Sequence, residues 1–475
     1  MCNWRVYVFL FVSMMECYAS AFVPSLMRDL KSNSSFRERH VVLYDNASSE
    51  DCIVIVGGGF GGLNAALSLS SILQEKKKTR IVLLDEKERF VFLPLLYELC
   101  VDDASIEEVA PTYSSLLSSS SMIEFVQAKV TGIDVEQNCI HYNNKNVLNY
   151  TALIVATGAE MQLNAIPGAS QYALPFYTIE QCLELKRRFT LLDNYKKPTV
   201  VIVGGGYSGV ELALNTMERF NHQVQVTLIH RGTQLLENAT PYNQKQGIDK
   251  LTKNGIQILT QTTVTQVTST TTTQEEDTNP HACTVQFQNI NIPNSFEQMN
   301  VDLLLWTAGA SSMNRKGELG ILNSKLPRDE KGRIITGKYM RVKGLTNVFA
   351  IGDCSRASKV PYAATAQVAM QQAPFAAWNL YTTLYPQQSN NKMMPFSYLN
   401  LGEMMTLGSD DATISSLQGL VQLNGPTASI LRRLIYSVRM PTTQQSIQAL
   451  LSSSEKRIVT TKRNQKNGNK PIQWK

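Results

Sequence analysis

Gly57, Gly59 and Gly62 stand in the run Gly57-Gly58-Gly59-Phe60-Gly61-Gly62, and Gly204, Gly206 and Gly209 stand in Gly204-Gly205-Gly206-Tyr207-Ser208-Gly209. Glycines at that spacing let backbone N–H groups and the start of a helix approach a pyrophosphate, so each run is a candidate dinucleotide cradle. A carboxylate at the tip of the following strand would bind the ribose hydroxyls of an adenosine, and after the first run Asp85 or its neighbour Glu86 stands there. After the second run the corresponding strand ends in His230-Arg231, which offers no acid. Arg231 could meet a 2′-phosphate, which leans the second site toward NADPH; a solvated Arg231 beside a site tolerant of both NADH and NADPH reads nearly as well. A third phrase, Asn347-Val348-Phe349-Ala350-Ile351-Gly352-Asp353, delivers Asp353 at the end of an apolar strand, after a glycine that permits close backbone approach.

Such residues need elements to hold them. The first run follows an apolar strand over 52–56 and opens a helical pattern over 63–73; the next strand, 80–84, stops at Asp85, 23 residues after Gly62, near the spacing a βαβ unit requires. The unit recurs as strand 199–203, helix 210–219 and strand 224–229. Between the two copies the apolar run 150–159 carries Thr157-Gly158, and after the second copy a parallel run, 301–310, carries Gly309. Each is expected to return the chain to its sheet beside a bound nucleotide. The polar run 268–279 reads as a hairpin tip. The expected fold class is α/β with two Rossmann-like dinucleotide-binding domains.

Composition agrees. At 475 residues the chain is too long for one ordinary domain, and 43% hydrophobic with 18% charged residues is the balance of a folded protein with a large core. A net charge of +6 is small for this length and argues against nucleic acid as a partner. Much of the excess lies near the C-terminus, in Lys456, Arg457, Lys462, Arg463, Lys466, Lys470 and Lys475, which read as a solvated end or as an attraction to an anionic membrane. The eight cysteines show no C-x-x-C pair and no metal-ligand spacing, so no metal is expected and most should be buried small hydrophobes. Arg5, the apolar run 6–15 and Ala19-Ser20-Ala21 read as a signal peptide over 1–21, followed by a Ser- and Arg-containing transit segment over 22–49. The joined pattern Ala19-Ser20-Ala21-Phe22-Val23-Pro24 resembles the bipartite plastid presequence of diatoms and related algae; a plain secretory signal is the alternative. No later stretch is apolar enough to span a bilayer, so any membrane contact is expected to be peripheral.

The two glycine units followed by the Gly352-Asp353 phrase resemble the pyridine nucleotide-disulfide reductase superfamily, in which that phrase meets the ribitol of FAD. The disulfide branch carries a C-x4-C pair after the first unit, whereas this chain has Phe90-Val91-Phe92-Leu93-Pro94-Leu95-Leu96-Tyr97-Glu98-Leu99-Cys100, with one thiol. That loop is similar instead to the flavin-side loop of type II NAD(P)H:quinone oxidoreductases, and Ala366-Gln367-Val368-Ala369-Met370-Gln371 matches the A-Q-x-A-x-Q phrase that lines their quinone site. Gln367 and Gln371 lie four apart, on one helix face, and the resemblance implies bonds to a quinone carbonyl and the flavin edge. Glu211 fits the family's G-x-x-G-x-E phrase and is implied near the nicotinamide, its plainer role being a helix-dipole partner.

The resemblance covers about 52–441, and Asn400-Leu401-Gly402-Glu403-Met404-Met405-Thr406-Leu407-Gly408 narrows it to the plant and cyanobacterial plastid branch. Many relatives carry a Lys where Leu401 stands, so proton delivery by that Lys does not carry over; Glu403 is a speculative substitute. The implied activity is hydride transfer from NAD(P)H to FAD and two-electron reduction of a plastoquinone- or phylloquinone-type acceptor, without proton pumping, at a thylakoid or plastoglobule surface. A soluble flavin reductase and a non-catalytic NAD(P)H sensor are the competing readings, and dimerisation is open. The implied domains are a FAD domain over 50–190 and 300–385, an inserted NAD(P) domain over 191–299, a quinone- and membrane-side region over 386–455 and a basic tail over 456–475. Within that region 430–440 alternates apolar and cationic residues; it could lie in a lipid interface with Arg432, Arg433 and Arg439 at headgroups, or pack on the body of the protein.

Overall fold

The computed structural model describes residues 51–440 apart from 75–78, 119, 271–278, 293, 313–324, 358, 360 and 388–391. The presequence, the basic tail and the tip of the 268–279 hairpin lie outside the described residues.

Ile53, Val54, Ile55 and Val56 are all buried, with no polar alternation, because their strand lies inside a parallel sheet covered on both faces. That sheet has five strands in the order Val348–Ala350, Ala152–Val155, Asp51–Val56, Thr79–Asp85 and Ile123–Gln127. The second sheet repeats the plan with Gln257–Leu259, Gln225–Ile229, Thr199–Val203, Leu303–Trp306 and Ala173–Pro175. It takes in strands on both sides of the 191–299 interval. The central strand Thr199–Val203 needs a parallel neighbour on each side, and Leu303–Trp306 supplies one of them.

Seven of the helices position the site residues: α1 (Phe60–Ile72), α2 (Leu96–Cys100), α3 (Ile179–Leu192), α4 (Tyr207–Arg219), α5 (Pro241–Lys253), α6 (Ala366–Leu384) and α7 (Gly425–Val438). Helices α1 and α4 each start at a glycine run, and α6 lies along α1. Thr365 caps α6 by accepting from Val368 N at 3.3 Å, and Thr178 with Gln181 forms a capping box on α3. The strands Thr262–Ser269 and Cys283–Asn289 pair antiparallel, as a hairpin over this stretch requires. Cys100, Cys139, Cys182, Cys283 and Cys354 are buried free thiols.

After α6 the chain forms a three-stranded antiparallel sheet, Glu403–Thr406, Ala412–Ser416 and Val421–Asn424, with α7 packed across it. This unit is fastened to the second dinucleotide domain. Lys250 Nζ on α5 donates to Asp411 at 2.6 Å, and Glu218 on α4 accepts from Ser409 N at 2.6 Å. Arg432 corrects the headgroup expectation for α7: it is 1% exposed and ion-paired with Glu98, and Arg433 Nη2 lies 3.3 Å from the other oxygen of the same carboxylate. The cause is Glu98, a carboxylate buried in the short apolar helix α2 that needs cations where water is excluded. Among the described residues no helix is long and apolar enough to cross a membrane.

Candidate active site

The first cradle forms where the strand Asp51–Val56 ends. Gly57 turns the chain at φ +98°, a conformation that disfavours a side chain, and its N–H donates to Leu84 O at 2.8 Å. A Cβ on Gly62 would collide with Gly57 O, so α1 can sit directly on the turn; a Cβ on Gly59 would meet nothing within 4 Å. The first position is packing, the second is open space at a helix start, as a phosphate requires. Asp85 closes the cradle: Oδ2 accepts from Gly58 N at 2.6 Å and Oδ1 from Lys87 N at 2.8 Å. Burial raises its carboxyl above the ordinary range, against the pull of those two bonds. Glu86 is exposed, so of the two candidate acids Asp85 is the one turned toward the glycine turn.

Thr157 and Gly158 follow the strand Ala152–Val155 on the same edge of the sheet. Thr157 Oγ1 is buried with no hydrogen-bond partner, and a Cβ on Gly158 would meet nothing. An orphaned hydroxyl beside an open cradle fits a polar ligand such as the flavin of FAD. Gly352 and Asp353 enter the same region in a 3-10 turn after the strand Val348–Ala350, and burial raises the Asp353 carboxyl. A small cavity runs from Gly352 and Asp353 past Tyr362 to Gln372. Gln372 was not anticipated from the sequence. It is buried on α6 and its Oε1 accepts from Gly352 N at 2.7 Å, so it holds the Gly352 turn. The available signal was a second adjacent glutamine in an apolar helix, where only one of Gln371 and Gln372 can face inward.

The second cradle repeats the first. Gly204 turns at φ +121° with its N–H on Ile229 O at 2.9 Å, a Cβ on Gly209 would strike Gly204 O, and Gly206 faces open space. Thr307 donates to Val203 O at 3.0 Å, and Gly309 beyond it is also open. In place of Asp85, His230 takes the glycine-turn amide: Gly205 N donates to its Nδ1 at 3.1 Å. Arg231 points outward, exposed.

Glu211 is not a surface partner of the helix dipole. It is buried at the start of α4, its Oε1 accepts from Thr406 N at 2.9 Å, and burial pushes its carboxyl up to about 7. Its neighbours include Tyr97 of helix α2, whose hydroxyl lies 3.5 Å from Ser208 Oγ. Phe92, shortly before that helix, meets Phe60 and Tyr436 edge to face at 5.4 and 5.5 Å. One carboxylate thus touches both helix α2 and the C-terminal strand Glu403–Thr406.

Gln367 and Gln371 do share a face of α6, and both clasp the segment that follows it. Gln367 Oε1 accepts from Tyr398 Oη and from Leu401 N at 3.3 Å; Gln371 donates to Leu399 O at 2.9 Å and accepts from Leu399 N at 3.0 Å. Glu403 is bound too, accepting from Tyr207 Oη at 2.6 Å and Thr240 N at 2.8 Å.

The family model described as pyridine nucleotide-disulphide oxidoreductase matches residues 51–373. The chain is 36% identical to a demethylphylloquinone reductase of Synechocystis over 405 residues, 83% of this chain and 93% of that protein. It is 34% identical to an alternative NAD(P)H-ubiquinone oxidoreductase, chloroplastic/mitochondrial, of Arabidopsis thaliana, over 87% of this chain and 82% of that one. Among solved structures, NDH2 from Plasmodium falciparum in complex with NADH superposes with a TM-score of 0.72 at 19% identity, over 90% of this chain and all of that one, a likeness of fold.

Proposed function

The chain belongs to the pyridine nucleotide-disulphide oxidoreductase family, in its type II NAD(P)H:quinone oxidoreductase branch, and from that premise we propose that it reduces a lipophilic quinone of the plastoquinone or phylloquinone-precursor type with electrons from NAD(P)H. Its cofactors are FAD and NAD(P)H. FAD, when bound, supplies the two-electron relay between nicotinamide and quinone, which is the cofactor's own chemistry. What the chain supplies is placement. Gly57, Gly59, Gly62, Asp85, Thr157, Gly158, Gly352 and Asp353 would hold FAD, and Gly204, Gly206, Gly209 and Gly309 the nicotinamide nucleotide, so that the two meet in a fixed orientation.

The observation that carries the reading is the meeting at Glu211 of the NAD(P) helix, the flavin-side loop through Tyr97 and the C-terminal strand through Thr406. Gln367 and Gln371 act at the quinone side, where they position residues 398–402 as the wall of the quinone slot and present their remaining hydrogen-bonding capacity to the acceptor carbonyl. The relatives' names support this acceptor class: one is a demethylphylloquinone reductase, the other a ubiquinone oxidoreductase marked chloroplastic/mitochondrial. The plastid address, with peripheral attachment to a thylakoid or plastoglobule surface, rests on the presequence and basic tail.

The test is steady-state oxidation of NADPH and NADH by the purified flavoprotein with a short-chain plastoquinone analogue, for wild type and Gln367→Ala. The variant should keep flavin reduction and lose about tenfold or more in quinone-dependent turnover. An unmodified quinone rate in Gln367→Ala removes the glutamines from the site, and reduced flavin that quinone cannot reoxidise removes the function.

A further inference from the structure

We propose that His230 reads the 2′ position of the nicotinamide nucleotide's adenosine ribose, and that it does so as a donor indifferent to hydroxyl or phosphate, so that the chain accepts NADH and NADPH alike. The inference rests on the second glycine run being the NAD(P)H site.

Asp85 and His230 hold equivalent places, each at the end of the second strand of its βαβ unit and each receiving the N–H of the middle glycine, Gly58 or Gly205. A carboxylate there accepts from ribose hydroxyls and repels a 2′-phosphate. An imidazole does neither. Because its Nδ1 accepts from Gly205 N–H, the neutral ring carries its hydrogen on Nε2, which is a donor and can serve a hydroxyl oxygen or a phosphate oxygen equally.

That donor is unspent. Nε2 of His230 is buried without a hydrogen-bond partner, an arrangement that normally costs stability and is kept where a ligand completes it. The Oε1 of Glu237 stands 4.0 Å away on a side chain nearly half exposed. Gly232 makes room for the pair, since a Cβ there would strike Glu237 Oε1 and approach within 2.7 Å of Nε2. Glu237 therefore covers the donor and is free to turn into solvent when an adenosine enters. Its charge opposes a 2′-phosphate and tempers NADPH binding without excluding it. Arg231, exposed one residue on, is the rival for the phosphate.

The experiment measures calorimetric binding of adenosine 5′-monophosphate and adenosine 2′,5′-bisphosphate, which differ only at the 2′ position, to the FAD-loaded protein. Wild type should bind the two within about tenfold of each other. His230→Asp should weaken the bisphosphate by about thirtyfold or more and spare the monophosphate. His230→Asn keeps an acceptor for Gly205 N–H but its amide NH2 does not reach the place of Nε2, so it should fold normally and lose about tenfold for both nucleotides. Glu237→Gln should tighten the bisphosphate by about threefold or more. If His230→Asn leaves both affinities as in wild type, or if Arg231→Ala alone abolishes bisphosphate binding, the assignment is overturned. Steady-state kcat/KM for NADPH and NADH in the same variants separates the two readings. A chain that binds as expected but cannot reduce quinone sinks the function and leaves His230 in place; normal quinone turnover with His230→Asn affinities unaltered for both nucleotides sinks His230 alone.

Discussion

At the scale of single residues, Glu211 shows how burial changes what a side chain is. The G-x-x-G-x-E spacing puts a carboxylate in the first turns of α4, where a helix dipole would keep it charged. The fold instead closes Tyr97 of helix α2 and the strand Glu403–Thr406 over it, and burial pushes its pKa up to about 7. The consequence for stability has a definite sign. Below about 4.5 the carboxyl is protonated whether the chain is folded or not; from there to about 7 the unfolded chain has lost its proton while the folded chain keeps it, so stability falls as pH rises and levels off above. The fall should be on the order of 3 kcal/mol. Glu211→Gln retains an acceptor for Thr406 N–H and should flatten that slope in urea melts between pH 5 and 7. Parallel slopes in the two proteins would assign the titration elsewhere.

Elements differ in how far local pattern fixes them. A glycine turn is nearly self-sufficient: Gly209 must be bare because α4 rests on Gly204 O, and Gly206 is bare with nothing against it, which divides packing from ligand space within one motif. Helix α7 is the opposite case. Its arginines at 432 and 433 look like surface cations until Glu98, more than 330 residues earlier, is brought beneath them. Arg432→Met should therefore destabilise the protein by about 3 kcal/mol, toward the lower end for a broken buried pair because Arg433 still reaches Glu98. Replacing both partners, Arg432→Met with Glu98→Gln, should recover most of that loss in chemical denaturation. A double variant no more stable than the single one would show that the pair itself, rather than the stranded charge, holds α7 down.

At the scale of the whole molecule, two sheets of the same plan and a C-terminal unit are joined by contacts at Glu211, Glu98 and Lys250. On the proposed reading FAD completes the open faces at Gly59 and Gly158 and the buried Thr157 hydroxyl, which would make the folded state bind it and the unfolded chain not. At free FAD about a thousandfold above its Kd the linkage contributes about 4 kcal/mol. Stripping the flavin should lower the melting temperature by at least about 5 °C, and re-addition should restore it; equal melting of stripped and loaded protein would place the flavin elsewhere. The sequence alone determined where both glycine turns fall, the strand-end places of Asp85 and Asp353 and the α/β class, because each is carried by short-range spacing that leaves the backbone few alternatives. Only the tertiary structure decided that Arg432 faces inward, that Gln372 holds the Gly352 turn, that Gln367 and Gln371 clasp residues 398–402 and that His230 stands in for an acid. Those assignments depend on which group lies opposite across long stretches of chain, and burial, not residue type, then sets whether a polar side chain is spent on the fold or left for a ligand.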